Sequence, residues 1–150
     1  MSNAITIFTV CDNHFSVLLA ALIKSIDINH HSEEHLNFYI VGDKLTPLNK
    51  ENLEKCADSK KVYFFWFEIN DIIKDKSMLP LDGSSFPLIV YIRLFFPLFI
   101  PADVDKVIYL DVDMIVRKDI SQLWNVDLGD KIIGGVLLRK VAHTFQQQRD

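Results

Sequence analysis

Short apolar runs rich in β-branched and aromatic residues alternate along the chain with longer segments of helical character, and this alternation restricts the fold more than any other feature. Ile5–Val10 reads as a buried strand, followed by turn chemistry at Asp12 and Asn13. Phe15 to about Ile28 reads as a helix, apolar on most sides and so expected in the interior. Leu36–Val41 is a second strand, closed by Gly42 and Asp43, and Pro47 then opens a polar helix running to about Ala57. Val62–Glu68 is a third strand. Ser84, Ser85 and Pro87 mark a helix start, with Pro97 as its end. Lys106–Leu110 is a fourth strand and Lys131–Leu138 a last one, with Gly134 and Gly135 inside it. Strands alternating with helices predict an α/β fold, a mostly parallel sheet with helices on both faces, forming one domain over residues 1–150. Ligands of such sheets gather at the carboxyl ends of the strands. The first and fourth strands end in Cys11-Asp12-Asn13 and Asp111-Val112-Asp113.

Composition narrows the partners. Hydrophobic residues make up 49% and charged residues 24% of the 150, the balance of a folded domain with its own core. A formal net charge of -4 speaks against nucleic acid, whose binders carry a basic excess. An anionic ligand would need a local device such as a bound cation. The two cysteines, Cys11 and Cys56, have no metal-type spacing and are too few for a disulfide framework, so a reducing, cytoplasmic compartment is expected. Met1-Ser2-Asn3-Ala4 lacks the features of a signal peptide, and no apolar run reaches the ~20 residues that cross a bilayer.

Asp111-Val112-Asp113 is the sharpest signal. If the backbone is still extended there, a period of two puts both carboxylates on one side. Two anionic oxygen ligands suit Mg²⁺ or Mn²⁺, which can bridge a diphosphate and neutralise charge developing on it. Aspartates also end strands for local turn hydrogen bonds, and an isolated Asp-x-Asp fits that reading equally well. Context favours the metal: apolar Val107–Leu110 precedes the acids and Met114–Val116 follows them, and two carboxylates in such surroundings repel unless a cation is near. Arg93, in an apolar helical segment, either pairs with a buried acid or faces a ligand. His30 and His31 suit the C-terminal dipole of the first helix better than a metal. Gly134-Gly135 reads as close packing or a bulge, since no phosphate-loop spacing surrounds it.

Val107–Val116 as a whole resembles the DxD segment of glycosyltransferase family 8, which includes bacterial lipopolysaccharide galactosyl- and glucosyltransferases and the glycogenins. Phe8–His14 with the helix ending Lys24-Ser25-Ile26 is similar to the family's uridine-binding strand and helix. Tyr91-Ile92-Arg93-Leu94 resembles its Tyr-x-Arg-Leu helix, and Asp119–Trp124 with Asp127-Leu128-Gly129 the stretch after the DxD. The resemblance covers nearly the whole chain in the family's order. It implies a GT-A fold (Rossmann-like), a UDP-sugar donor, Mn²⁺ or Mg²⁺, and retaining transfer of a hexose to a glycan or lipopolysaccharide acceptor. By matching position, Thr9, Val10, Asn13 and His14 would line the uracil and ribose. Arg93 would approach the diphosphate or sugar; Asp111, with Val112, would line the nucleotide, and Asp111 and Asp113 would hold the metal.

Two residues depart from the pattern. Many members carry an acid where Cys11 stands and an aromatic ring where His14 stands; His14 can still stack on a base, whereas Cys11 is a poor acceptor. The resemblance also implies that a sugar-binding segment and a later metal-binding histidine lie beyond Asp150. The chain is therefore expected to bind UDP without turning over, to pair with a second copy, and to reach a membrane surface through the later segment. Two other classes compete. A phosphotransferase of the haloacid dehalogenase type also uses Asp-x-Asp after a strand, but on its first strand and with Thr or Val where Ile115 stands. A non-catalytic nucleotide-binding module is the third reading.

Overall fold

The computed structural model describes residues 4–57, 60–72 and 91–135. Their framework is β1 (Ala4–Asp12), α1 (Ser16–Asn29), β2 (His35–Asp43), α2 (Pro47–Glu54), β3 (Val62–Glu68) and α3 (Ile69–Ile72), then a 3-10 helix (Arg93–Leu98), β4 (Ile108–Tyr109) and α4 (Ser121–Trp124). The four strands form one sheet in the order β3-β2-β1-β4, and every pairing is parallel. β1 and β2 run in register from Ala4↔His35 to Asp12↔Asp43, so their carboxyl ends finish level.

Alternation of side chains across β1 splits the core in two. Ile5, Ile7 and Cys11 face α1 and α2, packing with Leu36, Phe38 and Ile40 of β2. Phe8 and Val10 face the other way, onto Tyr39, Val41, Ile69 and Ile92. α1 docks through Leu19, Leu22, Ile23 and Ile26, the i, i+3, i+4, i+7 stripe of an amphipathic helix, each at most 1% exposed. Burying each contributes about 1.5–3 kcal/mol. Its other side carries Val17 and Ile28 in solvent, so α1 is a surface helix with an apolar back and not the interior helix its composition suggests. α2 starts as the sequence reads: the Thr46 hydroxyl accepts from the Asn49 N–H at 3.2 Å, with Pro47 in the first turn.

Three other expectations are corrected. β4 keeps only two of the five residues read as strand, because the chain turns soon after Leu110. Pro97 lies within its 3-10 helix and does not stop it short, since the segment continues to Leu98. Residues 131–135 are not a strand: no sheet partner reaches them among the described residues, and Ile132 and Ile133 are 94% and 83% exposed. Gly134 instead packs closely on Leu128, where an added Cβ would come within 2.8 Å of Cδ2. The expected helix start at Ser84 and the rest of Lys131–Leu138 lie outside the described residues.

The end of α1 is tied down by Asp119. Its carboxylate accepts from the backbone N–H of His31 at 2.7 Å, of Ser32 at 3.0 Å and of Ser121 at 2.9 Å. His30 Nδ1 lies 3.2 Å from the same group, while Nε2 lies 2.8 Å from the Glu34 carbonyl oxygen. The histidine thus joins the loop after α1 to the segment before α4. Burial raises the Asp119 pKa, but the donors from Ser121, His31 and His30 outweigh it and hold the carboxyl well below the usual carboxylate range. A carboxylate held low stabilises the fold above its ordinary pKa of about 3.9, and that contribution is lost as pH falls towards the folded value. Asp119→Asn is accordingly expected to lower stability at pH 7 by about 1–3 kcal/mol, the usual worth of hydrogen bonds to a charged group. The gap to the unsubstituted protein should narrow below about pH 4. Urea unfolding at pH 7 and pH 3 checks this, and a gap of constant size would contradict it.

Candidate functional site

The carboxyl ends of β1 and β4 lie side by side, held by the Phe8↔Tyr109 pairing and by Leu110 N–H donating to the Phe8 carbonyl at 3.1 Å. A cavity of about 400 Å³ opens at this end. Val10, Cys11, Asp12, Phe15 and Leu18 line it from β1 and the start of α1. Arg93, Tyr109, Asp111, Val112 and Asp113 line the opposite side. The backbone is not extended through the two acids. It turns at Val112 and Asp113, with Met114 N–H donating to the Asp111 carbonyl at 3.3 Å. A turn, and not a strand period, brings both aspartates to one cavity.

Asp111 has two close neighbours there. The Tyr109 hydroxyl donates to its Oδ1 at 2.6 Å, and Arg93 Nη2 lies 3.4 Å from the same oxygen. The guanidinium also sits over the Tyr109 ring, 4.8 Å from its centroid. One acid that Arg93 meets is thus a half-exposed one at the cavity. Burial, then the hydrogen bond to Asp111 and that carboxylate's charge, lift the Tyr109 pKa well above the ordinary phenol value. Its hydroxyl therefore stays a donor. Burial and the neighbouring Asp12 charge push Cys11 up to about 12, so it remains a thiol and is a poor nucleophile.

The remaining sequence candidates are distributed differently. Val10 and Val112 reach the cavity. Thr9 does not; its side chain is fully buried, and its hydroxyl oxygen has no hydrogen-bond partner among the described residues. Asn13 spends its side-chain oxygen on the loop into α2, accepting from Thr46 N–H at 3.1 Å and from the Asn49 amide at 2.8 Å. His14 is exposed, with its ring edge-on to Phe15 at 5.0 Å. Tyr109, Asp12, Phe15 and Leu18 were not singled out by sequence. For Tyr109 a signal existed: a phenol two residues before an aspartate at a strand end can share its side of the chain. Asp12 was read as a turn residue, and it does accept from Phe15 N–H at 2.9 Å while bordering the cavity.

Asp111 and Asp113 fit a hard cation in part. They offer carboxylate oxygens on one cavity, and no group of three or more His, Cys, Asp or Glu able to hold a metal occurs among the described residues. Mg²⁺ tolerates such a set, since it commonly keeps one or two carboxylates and fills its other positions from water and phosphate oxygens.

A parallel α/β sheet with an acidic turn at the carboxyl ends of adjacent strands defines the class as an α/β fold of the GT-A type. The chain belongs to glycosyl transferase family 8, whose model matches residues 6–150. It is similar to general stress protein A of Bacillus subtilis (strain 168), 24% identical over 131 residues, covering 87% of this chain and 45% of that protein. It is also similar to the UDP-glucose:glycoprotein glucosyltransferase of Drosophila melanogaster, 26% identical over 128 residues, covering 85% of this chain and 8% of the relative. Among solved structures, the galactosyltransferase LgtC in complex with donor and acceptor sugar analogues superposes with a TM-score of 0.65 at 26% identity, over 84% of this chain and 44% of LgtC. The apo bifunctional glycosyltransferase WbbM shares the fold, with a TM-score of 0.69 at 24% identity over 84% of this chain and 21% of that one. The chain thus spans less than half the length of each. No helix among the described residues is long and apolar enough to cross a membrane.

Proposed function

We propose that this chain is the donor-binding part of a glycosyltransferase that takes a UDP-sugar with Mn²⁺ or Mg²⁺ and transfers its hexose, with retention, to a glycan or lipopolysaccharide acceptor. One observation carries the reading: Asp111, Asp113 and Arg93 face one cavity at the carboxyl ends of β1 and β4. Cleaving the sugar–phosphate bond leaves charge on a diphosphate. Asp111 and Asp113 would hold the cation, whose chemistry is to neutralise that charge. Arg93, as a planar five-donor cation, suits the phosphate oxygens. His14 offers an exposed ring to the base, and the main chain of Thr9, Val10 and Asn13 at the end of β1 would line the uracil and ribose beside it. Cytoplasmic location belongs to the proposal and is supported by two free cysteines. So does pairing with a second copy, supported by the exposure of Leu94, Leu98 and Ile115, and contact with a membrane surface near the acceptor.

Calorimetric titration with UDP tests the reading. In Mn²⁺ the affinity is expected to exceed that in EDTA by about tenfold or more, since each 1.4 kcal/mol of cation–phosphate attraction is one decade. UDP binding that is indifferent to EDTA rejects the proposal.

A further inference from the structure

Tyr109 and Asp111 stand two residues apart, but only Tyr109 is held by the sheet. It is the last residue of β4, paired with Phe8 of β1, and its ring packs on the Phe8 ring with centroids 5.5 Å apart. Phe8 is itself fully buried and meets Phe99 at 5.3 Å. Asp111 lies beyond the strand, in the turn where Met114 N–H donates to its carbonyl at 3.3 Å, and its side chain is 42% exposed. A carboxylate so open to solvent turns among its rotamers at little cost unless a neighbour fixes it. The Tyr109 hydroxyl is such a neighbour. It donates to Oδ1 at 2.6 Å, in the short range of hydrogen bonds to a charged oxygen.

Arg93 Nη2 lies 3.4 Å from the same oxygen, so both contacts fall on Oδ1 and neither uses Oδ2. A carboxylate has about four lone-pair sites, and the hydrogen bond need not open for the other oxygen to meet a cation. Orientation then matters differently for different ions. Mg²⁺ is small and demands near-ideal octahedral geometry, whereas Ca²⁺ accepts more oxygens in flexible arrangements. A carboxylate fixed in one direction favours the first ion; one free to turn serves the second as well. Charge alone does not discriminate, since both ions are divalent.

We propose that the Tyr109 hydroxyl is a positioning group, fixing the direction of the Asp111 carboxylate and so giving the site a preference for a small octahedral cation over Ca²⁺. This role rests on the donor-binding reading above.

UDP affinity measured by calorimetry in Mg²⁺, in Ca²⁺ and in EDTA tests it, the enhancement each cation gives over EDTA being the quantity read. In the unsubstituted protein Mg²⁺ should enhance binding more than Ca²⁺. Tyr109→Phe keeps the ring, and with it the packing on Phe8 and the contact with Arg93, and removes only the donor. It is expected to cut the Mg²⁺ enhancement by about three- to tenfold, at the low end for a partner that orients a metal ligand, because Asp111 is half-exposed. The Ca²⁺ enhancement should fall by no more than about twofold, with UDP affinity in EDTA and the melting temperature unchanged. A hydroxyl that only supported the turn would leave the ratio of the two enhancements as it is. Ca²⁺ serving the unsubstituted protein as well as Mg²⁺, or a Tyr109→Phe variant with equal losses, no loss or a gain, overturns the positioning role and leaves cation-linked UDP binding in place. If Tyr109→Phe does not fold, Phe8→Leu carries the test. It keeps the hydroxyl, loosens the ring beneath it and should lower the Mg²⁺-to-Ca²⁺ ratio by about two- to threefold; an unchanged ratio overturns the role. Should no divalent cation enhance UDP binding in the unsubstituted protein, the donor-binding reading fails and this role with it.

Discussion

Replacing Asp113 by asparagine is expected to leave the protein folded and to remove the manganese dependence of UDP binding. Asp113 is exposed in the turn after β4, so loss of its charge removes little that supports the fold. For a hard cation the change is large, because a carboxylate becomes a neutral amide oxygen. Losing one charge-assisted contact of this kind costs on the order of 2–3 kcal/mol, or roughly 30- to 150-fold in affinity. UDP affinity measured in Mn²⁺ should therefore fall to the level found in EDTA, with an unchanged melting temperature. Asp111→Asn is a less clean probe, since it also disturbs the Tyr109 hydrogen bond and the Arg93 ion pair. If the Asp113 variant kept both its affinity and its sensitivity to EDTA, Asp113 would be an ordinary turn residue.

Phe8→Ala is expected to be the most damaging single change to the fold. Phe8 is fully buried and its ring meets three others: Phe99 with centroids 5.3 Å apart, Tyr109 at 5.5 Å and Phe96 at 6.2 Å. It joins β1, the 3-10 helix and β4 in one cluster, directly beneath the ring that carries Arg93. Truncation leaves a cavity and costs about 3–5 kcal/mol, against a total stability of 5–15 kcal/mol typical of a domain. Denaturant unfolding gives the number directly. Because Tyr109 loses a packing neighbour, UDP affinity should drop in the fraction that remains folded. Phe8→Leu refills much of the space and should cost about 1.5 kcal/mol or less. A cost below about 1 kcal/mol for Phe8→Ala would mean that this cluster does not hold the sheet to the segment above it.

Where the sequence was readable, local chemistry and packing agreed. β3 falls on Val62–Glu68 as expected because its aromatic and β-branched run is bounded by the polar Lys60-Lys61 and fits beside β2 along its length. The Asp-x-Asp segment was readable as chemistry but not as geometry: its residues name a cation site, yet the turn at Val112 is set by where β4 stops pairing with β1. Residues 131–135 mislead for the opposite reason. Ile132 and Ile133 look like strand material, but a strand needs a neighbour, and periodicity does not say whether one is in reach. Asp119 was noticed only as part of a resemblance. Its anchoring of His31, Ser32 and Ser121 joins segments far apart in the chain, and no local pattern encodes such a contact. Burial is likewise not legible from a motif: the Thr9 side chain is fully buried and does not line the cavity, although Val10 and Cys11 beside it do.

The parallel pairing of β1 with β4 also sets the order in which the chain can assemble. Ile7 meets Phe38 of β2 across the α1 crossover, but meets Ile108 only after roughly a hundred residues of chain have been brought round. Loop closure grows slowly with length, so the thermodynamic difference between the two is only about 1 kcal/mol. In time the difference is larger, because distant pairings are the slow steps of folding and must wait for the rest of the sheet to receive them. Among the described strands, β1, β2 and β3 with their helices are expected to pair early and the edge made by Ile108 and Tyr109 after them. The carboxylates of Asp111 and Asp113 sit on that edge. Nucleotide binding would then report that this distant pairing is made, and any ligand at this cavity would draw it closed.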